Sequence, residues 1–171
     1  MVTVIPSPPP PDASRRDRPR GHKSEPGDDS PSALARALIT LYAELDGVYN
    51  TAARRLRLTP QQAQLLCTCE QGPSSMRDLA ELLNCDKTNV TGLVDRVAKR
   101  DLVKRSIHLA DRRVTQVALT AQGEELVERF QRELQRCLDE RLAHWPSARR
   151  RQLIDLAAAA ASDLANSSPA H

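Results

Sequence analysis

Aromatic side chains are nearly missing from this chain: one Trp, two Tyr and one Phe make up 2% of its 171 residues. A core with so few rings must be filled by Leu, Val, Ile and Ala, which suits packed helices better than a β-sandwich. Long apolar runs are missing too. No stretch approaches the ~20 apolar residues of a membrane span, and no apolar run follows a basic start as in a secretory signal, so the chain is expected to be cytoplasmic with no membrane partner. There is no P-loop, no Gly-x-Ser-x-Gly and no His-Glu-x-x-His. An enzyme is not expected, and no cofactor is implied. The four cysteines, Cys67, Cys69, Cys85 and Cys137, contain no Cys-x-x-Cys pair. Cys67 and Cys69, two apart on a helix, project about 200° apart and do not suit one ion. Only four histidines are present, with His22 and His171 near the ends, so no metal site is expected. In a cytosolic protein the thiols stay reduced.

What is present is a mildly basic chain, net charge +3 with pI ≈ 8.8, a balance that permits nucleic-acid binding without demanding it. Its length fits one elaborated domain able to bury a core. Residues 1–32 hold eight of the twelve prolines and five cations against five acids. Almost nothing apolar follows Ile5, so nothing offsets the entropy of ordering, and a disordered Pro-rich tail is predicted there.

Ser32 is read as the cap of a first helix, running to about Arg57 with Leu34, Leu38, Leu41, Tyr42, Leu45, Val48, Tyr49, Ala52 and Leu56 as its apolar stripe. Thr59 and Pro60 start a second helix with Ala63, Leu65, Leu66 and Cys69 inside, ended by Gly72-Pro73. Ser75 caps a third, with Met76, Leu79, Ala80, Leu82 and Leu83 as its apolar residues. After the short turn Asn84-Cys85-Asp86 comes a fourth helix whose Val90, Leu93, Val94 and Val97 fall at i, i+3, i+4 and i+7. Two short helices joined by such a turn form a helix-turn-helix. Asp86 caps the second of them, leaving Lys87, Thr88, Asn89, Thr91 and Arg96 on the open face.

From Leu102 the period changes to two. Val103, Arg105, Ile107 and Leu109 share one side of a strand, and Lys104, Ser106 and His108 share the other. Ala110-Asp111-Arg112-Arg113 is the tip of a hairpin, and Val114 to Leu119 return. Between Lys87 and Arg113 there are eight cations and three acids, a net +5 in a chain whose total is +3. Positive charge is concentrated on this helix and hairpin, where a nucleic acid would be met. A solvated charged face with no partner is the plain alternative. Thr120 then caps a fifth helix marked by Leu126, Phe130, Leu134, Cys137, Leu138 and Leu142, and a sixth runs from about Ser147 to Leu164. The terminal helices carry more apolar surface than the central unit covers, and a helical dimer interface would bury it.

This order of elements resembles the MarR family of bacterial transcriptional regulators over roughly Leu34 to Leu164. The motifs that carry the resemblance are Leu58-Thr59-Pro60-Gln61-Gln62, Met76-Arg77-Asp78-Leu79-Ala80, Val90-Thr91-Gly92-Leu93-Val94-Asp95-Arg96, Arg100-Asp101-Leu102-Val103-Lys104-Arg105, Asp111-Arg112-Arg113 and Leu119-Thr120-Ala121-Gln122-Gly123, in that order. One departure is Asp101, where the family usually has Gly; Asp tolerates a left-handed backbone better than most residues.

The resemblance implies a mainly α fold, a winged helix-turn-helix of about six helices and a two-stranded β wing. Residues 58–120 would be the DNA-binding domain, with 33–57 and 121–165 as a helical dimerisation region. The implied function is a nucleoid-associated, ligand-responsive repressor that binds double-stranded DNA as a homodimer. Two recognition helices about 34 Å apart would read a roughly palindromic operator. Thr88, Asn89, Thr91 and Arg96 have the chemistry for the major groove. Ser75, Lys87, Lys99, Lys104 and Arg105 suit phosphate. Arg113 matches the family's wing arginine for the minor groove, with Asp111 orienting it and Arg112 sharing the task. Many members bind a small aromatic ligand between the dimer helices and the winged domain. Two alternatives stay open: a redox-sensing regulator whose Cys85 thiol is acidified by the adjacent helix end, and a winged helix that docks an acidic protein. Asp111 with Arg113 as an ordinary surface ion pair, and Asp95 with Lys99 as an i,i+4 helix pair, are the corresponding plain readings.

Overall fold

Side-chain caps decide where five of the helices begin. In the computed structural model, which describes residues 30–107 and 113–166, the chain forms six helices and three strands. Helix α1 (Pro31–Arg55) is capped by Ser30, whose side chain accepts from the Ala33 amide. The expected cap, Ser32, lies inside the helix instead, its hydroxyl 3.1 Å from that of Ser30. Pro31 explains the shift: at the first helical position its fixed φ suits the turn and its missing N–H costs nothing, so the helix starts two residues earlier than the apolar stripe suggests. Helix α2 (Pro60–Glu70) opens with a capping box in which Thr59 and Gln62 exchange hydrogen bonds. Ser75 and Asp78 do the same for α3 (Met76–Leu82). Asp86 caps α4 (Lys87–Ala98) and Thr120 caps α5 (Ala121–Leu142). Each cap contributes about 1 kcal/mol. Helix α6 (Ser147–Asn166) ends the described chain.

The wing is an antiparallel hairpin, β2 (Val103–Ile107) and β3 (Thr115–Leu119), with Val103 opposite Leu119 and Arg105 opposite Val117. A further strand was not anticipated: Ser74–Ser75 form β1, which pairs with β3 on its other side to give the order β1-β3-β2. Two serines have no apolar alternation to announce a strand. The expected alternation along β2 holds only at its base. Val103 is buried, whereas Arg105 and Ile107 on the same side are exposed, because the strand runs out beyond the core.

The core is aliphatic. Leu65 and Leu66 of α2, Leu79 of α3, the Val90, Leu93, Val94 and Val97 stripe of α4 and Val117 of β3 are all buried. Burial of each such side chain contributes roughly 1.5–3 kcal/mol. The one Phe and one Tyr are used together: Tyr49 of α1 and Phe130 of α5 meet edge to face with centroids 4.9 Å apart. Leu82, expected inside, is 45% exposed; Leu79 and Leu83 supply the inward side of α3. The amino-terminal half of α1 leaves Leu34, Leu38, Ile39 and Leu41 exposed, and α6 buries no residue, with Ile154, Leu156 and Leu164 open to solvent. No described helix is long and apolar enough to cross a membrane.

Candidate nucleic-acid interface

The buried Val90, Leu93, Val94 and Val97 stripe fixes which way α4 faces, and the remaining positions follow. Lys87, Thr88, Asn89 and Thr91 are all exposed on the first turns. The Asn89 amide N–H is taken by Asp86 Oδ1 at 2.9 Å, and its side-chain Nδ2 donates to Asp86 Oδ2 at 2.7 Å. Asn89 therefore helps to build the cap, which holds its carboxamide at the helix end while its oxygen stays available as an acceptor. The Thr91 hydroxyl donates to the Lys87 carbonyl at 2.8 Å, leaving its methyl and oxygen lone pairs for a partner. Arg96 is exposed one turn on, with Nη1 placed close over Gly92. Lys99 forms the end of the helix.

Beyond Lys99, the chain turns through Asp101 with φ +55°, the left-handed conformation expected of that position. Its carbonyl accepts the Thr120 hydroxyl at 2.5 Å, and the Leu102 carbonyl accepts the Thr120 amide at 3.2 Å. The wing is thereby hydrogen-bonded to the start of α5. Gly123 is needed at this joint: a Cβ there would lie 2.0 Å from the Leu102 carbonyl oxygen.

On the wing, Lys104 and Arg105 are exposed. Arg105 reaches back to α4, with Nη2 2.7 Å from Asp95 Oδ1. Asp95 thus bridges α4 to the wing. Arg113 is exposed on the tip side of the hairpin, just before β3 begins, and Asp111 and Arg112 lie outside the described residues. Arg113, Lys87, Ser75 and Thr115 line a groove of about 490 Å³ between the amino ends of α3 and α4 and the wing. Arg77 and Met76 line it as well. Arg77 went unassigned in the sequence because it precedes the basic stretch, although its place next to the Ser75 cap puts it on the same surface.

The thiols do not behave as the cysteine alternative requires. Cys85 is shifted upward, first by partial burial and then by the adjacent Asp86 carboxylate, so the helix end does not acidify it. Asp86, occupying that end as the cap, supplies the opposing charge. Burial pushes Cys67 up to about 11 and Cys69 to about 12. Both are held in the protonated thiol form at neutral pH. Among the described residues no group of three His, Cys, Asp or Glu is placed to hold a metal ion.

The geometry is shared with known proteins. The MarR family profile matches residues 58–115, from α2 through the wing. The chain is 36% identical over 84 residues to the uncharacterized HTH-type transcriptional regulator YdgJ of Bacillus subtilis, covering 49% of this chain and about half, 51%, of that protein. It is 30% identical over 110 residues to the HTH-type transcriptional repressor NicR of Pseudomonas putida, covering 61% of this chain and 70% of NicR. Among solved structures, Bordetella bronchiseptica BpsR, whose DNA binding is regulated by 6-hydroxynicotinic acid, superposes with a TM-score of 0.59 at 25% identity, over 75% of this chain and 98% of that one. With the profile on the winged helix-turn-helix, NicR matched over most of its length and the fold shared throughout, the chain belongs to the MarR family of DNA-binding transcriptional regulators.

Proposed function

We propose that this protein is a dimeric, ligand-responsive repressor that places two α4 helices in successive major grooves of a roughly palindromic operator. One observation carries the reading: the first turns of α4 present Lys87, Thr88, Asn89 and Thr91 to solvent on a fully buried aliphatic stripe, beside a wing that carries Lys104, Arg105 and Arg113. In this reading residues 58–120 are the DNA-binding domain, and 33–57 with 121–165 form the dimerisation region. The exposed apolar side chains of α1 and α6 support the dimer, since a surface of this kind is covered in a stable assembly. Similarity to NicR supports repression, and similarity to BpsR supports a small aromatic acid as the class of effector.

The roles follow from chemistry. Thr88, Asn89, Thr91 and Arg96 read base edges; Ser75, Lys87, Lys99 and Lys104 hold phosphate. Arg113 enters the minor groove, with Asp111 and Arg112 beside it at the tip. Arg105 reaches phosphate only by sharing its guanidinium with Asp95.

The test is binding to the intergenic DNA upstream of the protein's own gene at several salt concentrations, with wild type and Arg113→Ala. The expected result is selective binding that weakens steeply with salt, and about a tenfold loss in the variant. Binding no better than to random DNA, and indifferent to Arg113, would favour a protein-docking role for the basic face.

A further inference from the structure

The groove beside α3 has a consequence for DNA geometry, given the proposed function above. If α4 lies in a major groove and the wing in the neighbouring minor groove, the sugar-phosphate strand dividing those grooves must pass between them. The groove of about 490 Å³ is the space that lies there. Three cations, Arg77, Lys87 and Arg113, line it together with the Ser75 and Thr115 hydroxyls, and among the described residues no carboxylate lines it. Its charge and hydroxyl donors match a phosphodiester, and Met76 supplies an apolar patch for the sugar.

We infer that Arg77 of α3 is a further DNA ligand, which grips a phosphate of the strand running through this groove. Its side chain is 87% exposed and has no packing role in the core. Nε sits 3.0 Å from Glu81 Oε1, one turn along the helix. That bond uses Nε and leaves the two Nη groups as a fork for phosphate oxygens. Glu81 is thus a positioning residue: it holds the guanidinium by its inner edge and presents the outer one. Sequence patterning hid this role, because an Arg four residues before a Glu on a helix reads as a surface ion pair.

The test compares wild type, Arg77→Ala, Lys87→Ala and Arg132→Ala on two duplexes of equal length, the upstream intergenic sequence and a random one, across a salt series. Arg132 is the charge control, since it too forms an i,i+4 pair, with Glu128 at 3.4 Å, and lies on α5 away from the groove. Each lost phosphate contact lowers the slope of log K against log salt by about 0.9, so a dimer losing two loses about 1.8. The advantage of wild type over Arg77→Ala should then shrink about twelvefold between roughly 50 and 200 mM salt, on both duplexes. Arg132→Ala should keep the wild-type slope. If Arg77→Ala also keeps it while Lys87→Ala lowers it, Arg77 is off the strand and the inference is wrong, though the DNA-binding reading stands. If wild type itself shows no salt-steep binding to either duplex, both fall.

Discussion

Gly123→Ala tests the joint between the wing and α5, because the two effects it combines have opposite signs. Gly123 is in the first turn of α5, and in an exposed helix the change to Ala would stabilise by up to about 1 kcal/mol. Here the new Cβ would lie 2.0 Å from the Leu102 carbonyl oxygen, 3.0 Å from its carbon and 3.2 Å from Leu119 Cδ2. The closest atoms belong to backbone, so no rotamer change relieves them. Restoring an ordinary 3.4 Å separation requires a withdrawal of about 1.4 Å, the difference between those distances. Such a movement stretches the 3.2 Å bond from the Thr120 amide to the Leu102 carbonyl. Overpacking costs about 1–3 kcal/mol and the hydrogen bond about 1 more, so after the propensity gain of up to about 1 the net loss is about 1–3 kcal/mol. For a chain of this size that lowers Tm by about 2–12 °C. Thermal unfolding followed by circular dichroism at matched protein concentration measures it. A variant as stable as wild type, or more so, would refute the close approach.

Asp101→Gly should stabilise the protein by up to about 1 kcal/mol, since φ +55° costs an L-residue strain that Gly escapes; a loss in urea unfolding would show that Asp101 contributes more than its backbone. The same change removes a negative charge beside the wing and should tighten DNA binding. Glu133 titrates at about 2 instead of the usual 4.5, because Arg136 and Arg55 donate to it. Its folded pKa is the lower one, so its stabilising contribution is complete above 4.5 and fades as pH falls toward 2. The stability gap between wild type and Glu133→Gln should therefore narrow across that window; a gap that is flat with pH would contradict the pairing. Ile154→Glu, at a position 66% exposed in the single chain, should shift the mass seen by light scattering toward monomer on dilution if the proposed dimer forms, and an unchanged mass would remove α6 from that proposed interface.

Most of the fold is legible in the sequence because caps and stripes are local. Thr59, Ser75, Asp86 and Thr120 each cap the helix that their position announces, and the valine and leucine stripe of α4 is buried as its spacing requires. What escaped is non-local. Strand β1 exists only because β3 offers its outer edge, and Gly123 looks like a poor helix residue until Leu102 is found against it. The site divides in the same way. Exposure of Lys87, Thr88, Asn89 and Thr91 follows from periodicity, whereas the Arg105 to Asp95 bridge joins residues ten apart on different elements, and Arg77 meets Lys87 and Arg113 only across a folded groove. Cys85 illustrates the limit of reading a helix end alone. The neighbouring helix end suggested an acidic thiol, but Asp86 already supplies the compensating charge as cap, and partial burial completes the upward shift.

These non-local contacts bear on how a dimer would be controlled. The end of α4, the Asp101 turn, the base of β2 and the first turn of α5 are tied through Thr120, whose amide, hydroxyl hydrogen and hydroxyl oxygen are each engaged, the last by the Gly123 amide. Asp95 with Arg105 ties α4 to the wing a second time. At the other end of the same assembly, α5 is fastened to α1 by Arg55 and Glu133 at 2.6 Å and by the Tyr49 and Phe130 rings. Helix α4 and the wing are therefore joined to each other and to α5 by direct hydrogen bonds and an ion pair instead of a free linker. In the proposed dimer, the spacing of the two α4 helices is then set by how α1, α5 and α6 pack across the interface. In the proposed ligand-responsive repressor, an effector need not touch the DNA-binding face to release DNA. In the proposed dimer a change in the angle of α5 against α1 would reach α4 and the wing through the joint at Gly123.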